Sequence, residues 1–166
     1  MVWADASLAF FSSTAANEFS VRSTGGARFV SGIDPSTGNP TAGVTLAPGG
    51  GSWSSLSDEA SKTAIEPISG RSVLRELADV PISTWSYRAQ DESIRHIGPM
   101  AQDFSAAFGV GSDDKHIATV DADGVALASI QALYQMMLEK DKQIERLQVQ
   151  LNHMKRTVGR RRAAKR

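Results

Sequence analysis

Two side chains with complementary chemistry lie five residues apart near the middle of the chain. Ser57 carries a hydroxyl that can act as a nucleophile, and Lys62 carries an amine that can act as its base. A serine hydroxyl is a poor nucleophile at neutral pH, and a lysine accepts its proton only when burial lowers the pKa of the amine. The spacing alone therefore leaves two interpretations open: a Ser-Lys catalytic dyad, or a surface Ser-Asp turn beside a solvated lysine.

Metal and thiol chemistry have little support in the sequence. The chain has no cysteine, which excludes disulfides, thiol nucleophiles and thiolate metal sites. His96, His116 and His153 do not have the spacing of metal ligands. The segment Asp121-Ala-Asp123-Gly124 resembles the start of a calcium loop, but Ala132 stands where the bidentate glutamate would be, so a helix cap is the better interpretation. We expect neither a metal nor a cofactor.

Charge is distributed unevenly along the chain. Residues 1–154 hold 11 of the 18 basic residues and all 18 acidic ones, a formal charge of −7, and the remaining basic residues follow in the last twelve positions. An acidic body argues against a nucleic-acid-binding face. DNA-binding zippers carry their basic region before the coiled coil, whereas here it would follow. We therefore expect residues 159–166 to form a disordered, solvated basic tail.

Residues 1–51 are rich in Ser, Thr, Gly and Pro, with short alternating apolar segments. The glycines at 25 and 26 predict a hairpin over residues 18–31, and Val44 and Leu46 predict a third strand. Such strands bury too little apolar surface to be stable alone, but copies from neighbouring chains could cover them, as in a fibre stem. Residues 48–52 then predict a mobile or sharply turned junction.

Residues 52–122 predict a compact α+β unit. Its first helix is expected to end before Pro81, and a strand should follow over residues 82–87. Pro99 is expected to occupy the first position of a second helix, which Gly109 ends. The apolar face of the first helix is formed by Val73, Leu74, Leu77 and Ala78.

A long helix is predicted over residues 123–158, with Asp123 as its N-cap. Apolar side chains recur along it at alternating steps of three and four, a spacing that is typical of a coiled-coil seam. Lys140 is the one polar residue in this pattern. An amphipathic helix packed on its own domain is the alternative. The predicted seam consists of Ile130, Leu133, Met137, Ile144, Leu147, Leu151, Met154 and Val158. Its side chains do not determine the number of strands.

Four blocks of the sequence together resemble a known family. They are Ser57-Asp58 with Lys62 and Ile65, then Trp85-Ser-Tyr87, then the run from His96 to Asp103, and Val120-Asp121 before the long helix. In this order and spacing they are similar to the C-terminal intramolecular chaperone of endosialidases, which is shared by phage tailspikes and tail fibres, bacterial surface proteins and myelin regulatory factor.

The resemblance implies a homotrimer that helps to fold a client segment and then releases itself. Residues 1–51 would be the end of the client, and the cut would fall between Leu56 and Ser57. In that reaction Ser57 would be the nucleophile and Lys62 its base. The Lys62 amine would be desolvated only in an assembled trimer. His96 could steady the oxyanion or could be a core histidine bonded to backbone, and Asp58 could serve a supporting role or cap a turn.

The expected fold is therefore α+β, with a small β-rich stem end, a compact chaperone core and a C-terminal helix in a trimeric coiled coil. The expected partners are two further copies of the chain and the client, with no nucleic acid, membrane or small-molecule substrate. Without an export signal or a membrane-spanning run, the sequence is expected to be the end of a longer virion fibre or bacterial surface protein. Two alternatives remain: a trimerisation domain that does not cleave, and a fragment of a membrane-tethered transcription factor.

Overall fold

The computed structural model describes residues 1–163. They form two compact units, one over residues 1–66 and one from residue 67 onwards. This division does not test the functional boundaries predicted after residues 51, 122 and 158, which stay predictions.

The first unit opens with a two-stranded parallel sheet. Strand β1 (Val2–Ala4) pairs with β2 (Ser20–Arg22), so that Trp3 lies opposite Val21. The hairpin predicted over residues 18–31 is therefore wrong, because β2 has β1 rather than the following strand as its partner. Contacts of Asp5 explain why β2 pairs with β1. The Asp5 carboxylate accepts hydrogen bonds from Arg22 Nε at 3.0 Å and from the Thr24 amide at 2.6 Å. These contacts hold the first residues against β2.

A three-stranded antiparallel sheet follows in the same unit. Its strands are β3 (Ala27–Ile33), β4 (Pro40–Leu46) and β5 (Trp53–Ser55), in the order β3-β4-β5. The strand predicted around Val44 and Leu46 is confirmed, whereas β5 was not predicted. The rings of Phe29 and Trp53 lie 5.5 Å apart and join the two outer strands across β4.

The turn between β3 and β4 is built on one carboxylate. Asp34 accepts from the Ser36 amide at 2.8 Å and from the Ser36 hydroxyl at 2.7 Å, while its own carbonyl accepts from the Gly38 amide at 2.8 Å. An aspartate that bonds the backbone two residues on mimics a backbone turn. This Asx turn sets the start of the β3-β4 pairing.

The second unit contains the predicted α+β elements. Helix α1 spans Gly70–Asp79 and is capped by Ser69, whose hydroxyl accepts from the Ser72 amide. Strand β6 (Ser83–Trp85) pairs with β7 (His96–Gly98), and helix α2 spans Ala101–Phe108. The first helix, the strand around Trp85 and the end of α2 at Gly109 are confirmed, the last with a left-handed φ of 62°.

The predicted start of α2 is wrong. Gly98 is still paired with Ser83 in the small sheet, and Met100, whose backbone is extended, is the N-cap. The Met100 carbonyl accepts from the Phe104 amide at 3.1 Å and begins the helix there.

Helix α3 spans Thr119–Ala163 and is longer than predicted at both ends. The carbonyl of Ala118 accepts from the amides of Asp121 and Ala122, so Asp123 lies inside the helix and is not its N-cap. At the other end the tail predicted to be disordered from residue 159 is helical as far as Ala163. The rest of that tail, residues 164–166, lies outside the described residues.

The core of the second unit is small. Helix α1 packs on α3 where Ala128 and Ala132 are buried, and a Cβ on Gly70 would lie 3.0 Å from the Ala128 carbonyl oxygen. Small residues at these positions let the two helices approach closely. Phe104 of α2 and Val80 complete the buried apolar set. The α+β class with a long C-terminal helix is confirmed.

Within residues 1–163, no helix combines the length and the apolar character needed to cross a membrane.

Candidate active site

The Ser57 and Lys62 side chains are in direct contact. Lys62 Nζ donates a hydrogen bond to Ser57 Oγ at 2.6 Å. Both residues are exposed and lie in the first unit, beside the end of β5. The nucleophile and the base predicted from the sequence are thus within proton-transfer distance in a single chain.

A short turn creates this contact. Residues Glu59–Ser61 form a single 3₁₀ turn, and the Lys62 amide closes it by donating to the Glu59 carbonyl at 3.0 Å. The Asp58 carboxylate accepts from the Ala60 amide at 3.0 Å and caps the turn. Because the turn folds the chain back on itself, the lysine side chain reaches the serine five residues earlier. Asp58 therefore has the capping role, which was one of the two considered for it.

The predicted scissile residue is held by the three-stranded sheet. The Leu56 amide donates to the Gly43 carbonyl at 3.0 Å, which extends the β4-β5 pairing by one residue beyond Ser55. The peptide between Leu56 and Ser57 therefore leaves the sheet at a defined point, directly before the turn that carries the dyad. Sequence reasoning missed Gly43, although a glycine inside an alternating strand is a known signal of close backbone approach.

His96 is surrounded by aromatic side chains of its own unit. Its ring stacks on Trp85, with centroids 4.8 Å apart, and meets the edge of Tyr87 at 5.3 Å. Its Nε2 lies 2.9 Å from Gln90 Oε1. The β6-β7 pairing brings together Trp85, Tyr87 and His96, which stand in separate blocks of the sequence motif. His96 thus has a packing role and bonds a side chain rather than the backbone, while its oxyanion role stays a prediction.

The predicted seam of α3 is uncovered in the single chain. All eight apolar seam residues are exposed, from Ile130 to Val158, whereas Ala128 and Ala132 on the same helix are buried against α1. Large apolar surfaces of this kind mark sites of protein association.

Comparison with known proteins addresses the family. Residues 57–110 match the model of a peptidase family that is described as the chaperone of endosialidase. No match was found among curated proteins or among solved structures. The matched residues include Ser57, Lys62, the aromatic cluster around His96, and helix α2. The resemblance predicted from the sequence is therefore confirmed over residues 57–110, which match the model of the chaperone-of-endosialidase family.

Proposed function

We propose that this chain is a homotrimeric intramolecular chaperone that helps to fold the segment N-terminal to Ser57 and then cuts the Leu56–Ser57 peptide. The observation that carries the proposal is the 2.6 Å contact between Lys62 Nζ and Ser57 Oγ. It lies at the first residues of the segment that matches a peptidase and chaperone family. The client would be a fibre or tailspike of a virion or of a bacterial surface.

The proposed reaction needs only groups of this chain and one water. Neutral Lys62 takes the proton of the Ser57 hydroxyl, and Oγ attacks the Leu56 carbonyl carbon. The C–N bond breaks, the proton passes to the departing nitrogen, and Leu56 is left as an ester on Ser57 Oγ. Water then hydrolyses the ester, which frees a Leu56 carboxylate and restores the serine hydroxyl. Each chain can react once.

Assembly is proposed to control the base. In the single chain Lys62 is exposed, so water solvates its amine. A lysine acts as a general base only in its neutral form. Burial of such an amine at a chain interface favours its neutral form. The exposed apolar side of α3 supplies the surface by which three copies would associate.

The alternative function is a structural trimerisation domain that does not cleave. The exposure of both dyad side chains favours it, since neither is desolvated in one chain.

A time course of the freshly synthesised chain decides between the two functions. We expect a fragment that begins at Ser57, identified by mass, and its absence from Ser57→Ala. Ser55→Ala, which removes a nearby hydroxyl outside the dyad, should cleave like the wild type. A wild-type trimer that stays full length would exclude the autoprotease and leave the structural domain.

A further inference from the structure

We propose that Gly43 is a positioning residue for self-cleavage, so that folding of the β3-β4-β5 sheet is a condition for release, separate from trimerisation. The inference rests on the proposed function. Gly43 lies in the client segment, so the client would help to position the peptide at which it is cut.

The anchor is a single hydrogen bond to the residue whose carbonyl is attacked. The Leu56 amide donates to the Gly43 carbonyl of β4 at 3.0 Å. The peptide on one side of Leu56 is thus held in a sheet, and the peptide on the other side enters the turn that carries Lys62. Attack requires Ser57 Oγ and the Leu56 carbonyl to be aligned, and a displacement of about 1 Å can cost about a hundredfold in rate.

Gly43 can hold this place only because it has no side chain. Its φ is +150°, and a Cβ at this position would lie 2.3 Å from the Phe29 carbonyl oxygen and 3.0 Å from Val30 Cα. Strand β3 therefore occupies the space that a side chain would need. A larger residue would push β3 and β4 apart and move the Gly43 carbonyl away from Leu56.

The dyad belongs to the same compact unit as this sheet. Ser57 and Lys62 lie within residues 1–66, together with β3, β4 and β5, although the family match begins only at residue 57. The catalytic turn is thus continuous with the folded client segment. An unfolded client would leave Leu56 without its anchor, and the cut would wait until the sheet had formed.

The test compares two glycine variants of the full chain during cell-free synthesis. Gly43→Val should produce the fragment beginning at Ser57 about a hundredfold more slowly than the wild type. Gly51→Ala is the matched control, because a Cβ there meets nothing within 4 Å, and it should cleave at the wild-type rate. Combining Gly43→Val with Ser57→Ala should leave the trimer mass unchanged.

Hydroxylamine shows whether Gly43→Val slows the attack of Ser57 on Leu56 or the later hydrolysis of the ester. It cleaves esters faster than water does, so it would restore the rate and leave a hydroxamate on Leu56 if Gly43→Val slowed only ester hydrolysis. We expect no restoration, since the anchor aligns the first step. Restoration would overturn the assigned role.

A second change covers the case in which Gly43→Val fails to assemble. Leucic acid at position 56 keeps the leucine side chain and replaces the backbone N–H by an ester oxygen, which removes the donor to Gly43. Loss of one hydrogen bond should slow cleavage about three- to tenfold. Cleavage within a factor of about two of the wild type in this chain would exclude the anchor. If the unmodified trimer never cleaves, the proposed function fails with it; if the unmodified chain cleaves and both changes are without effect, only the anchor fails.

Discussion

The contact between Lys62 and Ser57 is formed by two exposed side chains that a one-turn 3₁₀ helix folds together. Lys62 Nζ donates a hydrogen bond to Ser57 Oγ at 2.6 Å. For the proposed reaction the proton must move the other way, from the hydroxyl to the amine. The Lys62 amine and the Ser57 hydroxyl are thus within proton-transfer distance already in the single chain. In the proposed mechanism, the further condition at this scale is removal of water from the Lys62 amine.

Replacing Lys62 by Ala should slow cleavage at least about a hundredfold, because a general base contributes roughly that much. Lys115→Ala removes another exposed lysine, far along the sequence from the dyad, and should have no effect. The appearance of the fragment beginning at Ser57, followed by mass, provides the rates. Equal rates for the two variants would remove Lys62 from the reaction.

The wild-type rate should rise between about pH 6 and about pH 9, because the neutral form of an amine becomes more abundant as pH rises. Rates measured on freshly synthesised chains in buffers across this range give the profile. A rate that does not change with pH would argue against an amine as the base.

At the scale of elements, the three-stranded sheet depends on the turn at Asp34. Hydrogen bonds from the Ser36 hydroxyl and amide lower the pKa of Asp34 from 3.8 to about 2. A carboxyl whose pKa is depressed in the folded state stabilises that state above the unfolded pKa, and the stabilisation is lost as pH falls through the folded pKa. The turn is therefore expected to weaken between about pH 4 and about pH 2.

The urea midpoint of the first unit should consequently fall when pH is lowered through this range, and it should fall less in Asp34→Asn. The asparagine keeps an acceptor oxygen but takes up no proton. Asp5 also has a lowered pKa, mainly through its hydrogen bonds from Thr24, so the variant reduces the pH dependence without abolishing it. An identical pH dependence in both proteins would show that the Asp34 turn contributes nothing measurable.

At the scale of the whole molecule, the single chain leaves much apolar surface in water. The described residues bury only four apolar side chains well, while the predicted seam of α3 stays exposed. The proposed association with further copies would remove much of this apolar surface from water and would stabilise the chain.

Two substitutions at equally exposed positions distinguish the seam from the rest of α3. Leu147 is 63% exposed and Val149 is 69% exposed, so the single chain predicts similar tolerance of a charge at both. The coiled-coil pattern predicts that only Leu147 is buried on assembly. Leu147→Asp should therefore weaken the proposed trimer, and Ile144→Asp with Leu147→Asp should dissociate it, because each buried charge costs several kcal/mol. Val149→Asp, the control for Leu147→Asp, should remain trimeric.

Native mass gives the outcome, and the same samples show whether cleavage depends on assembly. The dissociated variant should stay full length although Ser57 and Lys62 are intact. If it cuts as fast as the trimer, the dyad is active within one chain and assembly does not control release.

The spacing of residues in the sequence was sufficient to predict features that depend on neighbours close along the chain. Ser57 and Lys62 are five residues apart, α1 ends before Pro81, and the apolar period of α3 is interrupted only at Lys140. Each of these depends on backbone geometry within a few residues, so residue types and intervals determine it. The family resemblance was equally accessible, because its blocks are short and keep their order.

Only the tertiary structure decided which distant segments pair. Strand β2 could have paired with either neighbour, and the Asp5 contacts with Arg22 and Thr24, 17 and 19 residues away, favoured β1. The predicted junction over residues 48–52 is a sharp turn, in which the Gly50 amide donates to the Ala47 carbonyl at 2.9 Å. The strand β5 that follows it pairs with β4, and this pairing brings Leu56 to the Gly43 carbonyl. Strand pairing is a competition between non-local partners, and a short strand carries too little sequence to specify the winner. For that reason the hydrogen bond between the Leu56 amide and the Gly43 carbonyl could not be predicted before the pairing of the sheet was known.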